Sequence, residues 1–548
     1  MHFASRRSPV LSTRGIVATS QPLAVAAGLQ ILAQGGNAAD AAVATAAALN
    51  VTEPTSTGIG GDCFALYFDA QARRVSALNG SGRAPAALSL ERLEREGFGN
   101  ELPPFHPYTI TVPGSCAGWC DLVETHGRLS MAEILAPAIR LAEEGFPVAP
   151  VTAYFWERGV DRQLRHAPGG HELTIAGRAP LPGEIFRNPG LGRTFRTVVE
   201  GGKAAFYLGK IAGAIAAVVQ GAGGCLTEAD LAAHTITWEP PISTTYRGLR
   251  VWECPPNGQG LAALIGLNLL EGFELAGMPP LSARRLHLEI EAMRLAFADT
   301  QWYVADPATN PAPLEWLLSK DYVADRRRLI DLHKAGPGQP RGAPVAASDT
   351  VYLSVVDGGG NACSFINSNY MGFGTGIVPA GWGFTLQNRG HNFSLDPQHP
   401  NALAPGKRPY HTIIPALATR STPYGEDLYA SFGVMGGFMQ PQGHLQVVVG
   451  LVDDGLDPQA ALDRPRFCIE ASTEGSQSGG ETQGKVALEE GLPEETVAAL
   501  AQMGHPVETI GGHGRALFGR GQIILRNAEN GVLWGGSDPR ADGCAMSL

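Results

Sequence analysis

The stretch Asp349-Thr350-Val351-Tyr352-Leu353-Ser354-Val355-Val356-Asp357 leaves its segment few options other than a short β-strand. Val351, Leu353 and Val355 fall on one face, and Tyr352, Ser354 and Val356 on the other, the period of two that a strand requires. Asp357-Gly358-Gly359-Gly360-Asn361 is a turn cluster, so Ala362 to Ile366 is predicted to return as the second strand of a hairpin. Upstream, Ala335-Gly336-Pro337 through Ala347-Ser348 is rich in Gly, Pro and Ala and reads as an exposed, flexible connection. A strand that opens on threonine directly after such a run is how an N-terminal nucleophile is held before cleavage. If the Asp349–Thr350 bond is cut, Thr350 gains an α-amino group beside its own hydroxyl. That amine can take the hydroxyl proton, without which threonine is a weak nucleophile. Threonine is also common in strands for packing reasons, so the pattern alone does not assign the chemistry.

A chain of 548 residues has room for several average domains or one large intertwined α/β unit. Its 44% hydrophobic and 17% charged residues suit a globular protein with a large core. Net charge is −11, and no Lys/Arg run has the density of a nucleic-acid patch, so no polyanionic partner is expected. No apolar core of signal-peptide length follows Met1. The most apolar early run, Ala24 to Leu49, is broken by Gly35-Gly36-Asn37 and Asp40 and cannot span a membrane. The eight cysteines are scattered without metal-finger spacing and read as core filler. These features lead to the expectation of a cytoplasmic protein with reduced thiols, no membrane contact, no metal and no cofactor.

Read in order, Gly15 to Ser20 is predicted as a strand and Leu23 to Ala33 as a helix. Asn37 caps a second Ala-rich helix, Ala38 to Leu49, with Asp40 in its first turn. Thr57-Gly58-Ile59-Gly60-Gly61-Asp62 is either a tight turn or an anion cradle, and its spacing matches neither phosphate-loop nor dinucleotide fingerprints. The loop Leu78 to Pro85 carries Arg83, which is either solvated or placed to grip a carboxylate. Arg284 to Tyr303 is the strongest helix ahead of Thr350. Further strands are predicted at Phe384 to Gln387, Thr412 to Thr419 and Leu428 to Phe432, with two last ones at Gln522 to Arg526 and Val532 to Trp534. Gly433-Val434-Met435-Gly436-Gly437 then leads into a helix from Gln442 to Val452. Strand, glycine pair and helix together aim backbone N–H groups at one point, as an oxyanion hole requires.

Several ordered motifs carry a resemblance. They are Gly35-Gly36-Asn37-Ala38-Ala39-Asp40-Ala41, Gly58-Ile59-Gly60-Gly61-Asp62 and Ile290 to Asp299. They continue through Asp349-Thr350, Phe373-Gly374-Thr375-Gly376-Ile377-Val378, Lys407-Arg408-Pro409, Gly436-Gly437 and Asp538-Pro539-Arg540. On these the chain resembles the γ-glutamyltransferase (glutathione hydrolase) proenzymes of the N-terminal nucleophile hydrolases, over nearly its whole length. The resemblance implies an α/β, four-layer αββα sandwich. It implies self-cleavage between Asp349 and Thr350 into a large fragment, 1–349, and a small one, 350–548, which stay associated and can pair as a dimer. Thr350 would attack a small-molecule amide and form an acyl-enzyme. The family's oxyanion-hole glycines fall on Gly436 and Gly437, and its Asn facing the nucleophile on Asn367.

The chain also departs from that family. The position of the arginine that grips the α-carboxylate is Ser81, and Arg83 stands two residues on. The aspartate that holds the α-amino group becomes His391, and the Ser-Ser pair becomes His411-Thr412. Losing a carboxylate that pairs with an ammonium penalises γ-glutamyl substrates. A pocket of Arg83, His391, His411 and Thr412 would favour an anion without an amino group, as in the branch that resembles oxamate amidohydrolases. Either histidine could instead be a structural residue with backbone partners.

Overall fold

Alternation along its strands gives the chain two faces to bury on each sheet, and it does so by stacking. The computed structural model describes residues 7–99, 102–336, 350–470 and 484–548. One seven-stranded sheet runs in the order Val10–Ser12, Leu533–Ser537, Arg520–Arg526, Gly425–Met435, Ala416–Thr422, Leu249–Glu253, Ile242–Tyr246. The other runs Cys544–Ser547, Gly15–Thr19, Val351–Asp357, Ala362–Ser368, Asp62–Asp69, Arg74–Gly80, Thr237–Glu239. Helices Pro22–Ala33, Ala38–Thr52, Ser115–His126 and Met131–Glu144 share a core with the outer face of the second sheet. Gly260–Leu270, Ala283–Tyr303 and Met439–Val452 do the same for the first. A third apolar layer, with Ile16, Phe64, Tyr352, Ile366, Leu417 and Ile524, lies between the sheets. This is the four-layer αββα sandwich that the resemblance implies.

The Val351–Asp357 strand sits in the interior of its sheet, paired antiparallel on both edges. Its faces divide as the alternation predicts. Val351, Leu353 and Val355 join the helix-side core, and Tyr352 and Val356 the layer between the sheets. That middle layer is partly polar. Ser354 donates to Ser431 Oγ of the opposite sheet (2.6 Å), and the Ala416 amide donates across to Ser364 Oγ (3.0 Å). Asp357 closes the hairpin by accepting from the amides of Gly359 and Asn361, and its other oxygen accepts from Ala38 N at the start of the second helix (3.0 Å). Asn37 caps that helix as predicted, with Asp40 returning the bond to the Asn37 amide.

Some predicted elements move. Residues 384–387 belong to no sheet; the Leu386 and Gln387 amides bond instead to the loop carbonyls of Ile377 and Gly60. The strand predicted from Thr412 begins at Ala416, because the residues before it are tied into the site described below. A third C-terminal strand, Cys544–Ser547, pairs with Gly15–Thr19. All eight cysteines are free and at least half-buried. Among the described residues no single helix is long and apolar enough to cross a membrane. Asp349 and most of the connection before it lie outside the described residues.

The two Ala-rich helices lie close because small residues face each other. A Cβ added to Gly28 would meet Thr45 Oγ1 at 2.3 Å and Val17 Cγ1 at 3.1 Å. Gly28→Val should therefore cost about 1–3 kcal/mol by overpacking, read as a lowered urea midpoint. An unchanged midpoint would show that the helices separate freely.

Candidate active site

Thr350 immediately precedes the central strand, and the register Val351↔Asn367 sets which way its side chain points. Alternation turns Thr350 to the Tyr352 face, into the space between the sheets. Ser368 shares that face, and their hydroxyl oxygens lie 3.1 Å apart, both fully buried. Ser368 Oγ also accepts from Arg389 Nη2 (3.1 Å) and from the Tyr370 amide (2.8 Å). Those donors occupy its lone pairs, so its own proton is left to donate, with Thr350 Oγ1 one acceptor within reach. Asn367, expected to face the nucleophile, is one residue off in parity and points to the helix layer. There its carboxamide accepts from Trp119 Nε1 (3.0 Å) and donates to the Gly58 carbonyl (3.1 Å).

Local sequence pattern does not single out Arg389, two residues before His391. Arg389 is fully buried, lies over the Tyr370 ring at 4.4 Å, and donates to Thr412 Oγ1 (2.6 Å) as well as to Ser368. It makes no ion pair among the described residues, and its Nε has no acceptor. Burial lowers its pKa to about 10, with Asp62 and Tyr370 opposing. The only signal in the sequence is an arginine beside a glycine, Arg389-Gly390. Tyr370 adopts φ +80°, a conformation costly for a tyrosine, and the Ser368 bond and the overlying guanidinium hold it there.

Asp62 pairs with Ser368 across the ladder and anchors the far wall. Oδ1 accepts from Gly82 N, Gly114 N and Gln387 Nε2 at 3.0–3.1 Å, and Oδ2 faces His411 Nε2 at 3.0 Å. The Ile413 amide donates to His411 Nδ1 (3.3 Å), which places the histidine proton on Nε2, toward Asp62. Burial and the nearby guanidinium groups of Arg389 and Arg408 hold His411 well below its ordinary pKa, so it is neutral. The expectation that His411 helps to bind a substrate anion is thereby corrected. Arg83 is also corrected, since its Nη1 is engaged by Asp306 (3.0 Å) and the Gly406 carbonyl. His391 is half-buried and donates from Nδ1 to the Leu102 carbonyl (3.0 Å). Thr412 is brought into the site, on Arg389.

Gly436 and Gly437 follow the Gly425–Met435 strand with φ of +132° and +59°, values that favour glycine. The Met439–Val452 helix starts two residues later. A bond chain ties this corner to Thr350. Gln259 Nε2 donates to both the Gly437 carbonyl (2.8 Å) and the Thr412 carbonyl (2.7 Å), and Thr412 holds Arg389. Gln259 was not singled out by sequence, because it comes from a turn nearly a hundred residues before Thr350.

One cluster of metal-ligand type occurs among the described residues: His287, Glu291 and His505, with donor atoms within 4.8 Å of one another. It is closed by its own bonds. His505 Nε2 and His287 Nδ1 are 2.8 Å apart, and Arg294 Nη1 donates to Glu291 (2.7 Å) and His505 (3.2 Å). A guanidinium already stands where a cation would.

Residues 24–548 match the gamma-glutamyltranspeptidase family. The glutathione hydrolase-like YwrD proenzyme of Bacillus subtilis is 36% identical, covering 98% of this chain and 99% of the relative. The oxamate amidohydrolase proenzyme of Klebsiella pneumoniae is 34% identical, covering 98% of each. Among solved structures, cephalosporin acylase from Bacillus halodurans superposes with a TM-score of 0.91 at 46% identity, covering 100% of this chain and 98% of the other.

Burial pushes the Asp62 carboxyl up from 3.8 to about 7, against the pull of Arg389 and three hydrogen bonds. The folded protein therefore holds this proton more tightly than the unfolded chain between about pH 4 and 7. In that window the Asp62 contribution makes unfolding easier as pH rises, and above it the contribution is flat. Asp62→Asn should flatten the fall of stability with pH across the window, measured by urea unfolding from pH 4.5 to 8. A variant whose curve keeps the wild-type slope would show that Asp62 does not carry it.

Proposed function

The chain belongs to the gamma-glutamyltranspeptidase family, whose relatives include hydrolases, and from that premise we propose a self-processing amidohydrolase with Thr350 as nucleophile. The observation that carries this reading is the Thr350 hydroxyl, at the head of the central strand and 3.1 Å from Ser368. In processing, Thr350 Oγ1 attacks the carbonyl of residue 349 and the peptide nitrogen leaves as the new α-amine. Water then hydrolyses the resulting ester, separating 1–349 from 350–548. In turnover the freed amine takes the hydroxyl proton as Oγ1 attacks the substrate amide. The amides of Gly436 and Gly437 stabilise the tetrahedral oxyanion, the substrate amine departs with the proton, and water releases the acid from the acyl-threonine.

For the substrate we favour a small carboxylate-bearing amide such as oxamate over a γ-glutamyl amide such as glutathione. Ser81, at the position of the family's carboxylate-gripping arginine, donates to Asn79 Oδ1 (2.8 Å) and accepts from Asn257 Nδ2 (3.2 Å). Arg83 is occupied by Asp306. The Ser81 hydroxyl is thus tied to its neighbours, and the Arg83 charge is already paired with a carboxylate.

The purified protein should run as two bands of about 37 and 21 kDa, the 57.6 kDa mass divided in proportion to length, the smaller beginning Thr-Val-Tyr-Leu. Thr350→Ala should abolish both the cut and amide hydrolysis, since one hydroxyl serves both. Hydrolysis retained by that variant would reject Thr350. Ammonia release from oxamate should exceed p-nitroaniline release from γ-glutamyl-p-nitroanilide in kcat/KM, and the reverse order would restore the glutamyl reading.

A further inference from the structure

A fully buried guanidinium without a carboxylate partner is expensive, because charge removed from water is normally repaid by an opposite charge. Among the described residues Arg389 is such a group. Its contacts among them go to two neutral hydroxyls, Ser368 and Thr412, and to the face of Tyr370, while Nε has no acceptor. The nearby carboxylate, Asp62, is committed to Gly82, Gly114, Gln387 and His411. Arg389 Nη2 and Thr350 Oγ1 each lie 3.1 Å from the same Ser368 oxygen, so they are no more than about 6 Å apart. An anion resting on Arg389 is thus held within a few bonds of the carbon that Thr350 attacks. The three residues first expected to read an anion do not compete for it: Arg83 is paired, His411 is neutral, and His391 is turned to the Leu102 carbonyl.

We propose that Arg389, with the Thr412 hydroxyl beside it, is the specificity-determining group that binds a substrate carboxylate carried a few bonds from the scissile carbonyl. Arg389 is suited to this because a guanidinium meets a carboxylate with two parallel N–H donors, a geometry an ammonium cannot copy. The Thr412 carbonyl is fixed by Gln259, which also fixes Gly437. The anion subsite and the oxyanion corner are therefore braced by one side chain, so substrate length is measured between two points of a rigid frame. The proposal rests on the amidohydrolase reading and names the chemistry of its substrate.

The test uses the processed wild-type enzyme and Arg389→Gln and Arg389→Lys, assayed by ammonia release from oxamate, succinamate and the uncharged propionamide. Wild type should prefer one of the charged amides to propionamide by at least about a hundredfold in kcat/KM, the scale of a buried ion pair. Arg389→Gln should reduce that preference by about a hundredfold, mainly through KM, and Arg389→Lys should restore part of it. An unchanged preference in Arg389→Gln would overturn the proposal. Should the glutamine variant fail to mature, wild type alone decides. Oxalate or succinate should inhibit competitively at least tenfold more tightly than the matching dimethyl ester, and equal inhibition would overturn the subsite. A wild-type chain that is neither cut nor active on any of these amides would instead reject the amidohydrolase reading, so the two failures are distinct.

Discussion

The structure depends on the pairing of the Val351–Asp357 strand along both of its edges. A strand hydrogen-bonded to Gly15–Thr19 on one side and Ala362–Ser368 on the other cannot slip by one residue without turning its whole apolar set over. Because Val351, Leu353 and Val355 are locked against the helices, Thr350 must face the space between the sheets. The same ladder brings Ser368 to it and places Asp62 next in line. The position of the hydroxyl is thus a consequence of sheet register, and the Asp357 bond to the start of the Ala38–Thr52 helix pins that register at its far end.

Around this fixed point the site is assembled from segments distant in sequence, and its charges explain why. Arg389 is held by hydroxyls and a ring, which orient a guanidinium without neutralising it. Asp62 is close enough to oppose the lowering of its pKa but is saturated by four other donors. The result is a cation kept in place yet electrostatically incomplete. Gln259 adds rigidity from the part of the chain before Thr350 by bridging Thr412 and Gly437 through one amide nitrogen. If the chain is cut before Thr350, such contacts hold the two pieces as one body, together with the sheet pairing between Gly15–Thr19 and Val351–Asp357.

Much of the fold was legible from local pattern. The alternation at Val351–Asp357, the cap at Asn37, the long Ala283–Tyr303 helix and the strand, glycine pair and helix around Gly436-Gly437 each depend on neighbours within a few residues. What failed needed partners far away. Residues 384–387 have strand composition but find only loop carbonyls to pair with. Asn367 was misplaced because a motif carried over by resemblance does not preserve parity by itself, and a one-residue offset reverses the face. Arg83 and His411 were reasonable anion readers by type, but Asp306 and Asp62, remote in sequence, had already engaged them.

By itself the sequence determined which segments form strands and helices, that a threonine follows a Gly-Pro-Ala run at the head of a central strand, and which family the chain resembles. Those properties are written in periodicity, turn chemistry and short motifs. Tertiary structure alone decided that Ser368 stands beside Thr350, that His411 is neutral, and that Arg389 is a buried arginine with no ion pair among the described residues. Whether a buried group is paired depends on what other segments bring to it, and no local pattern records that.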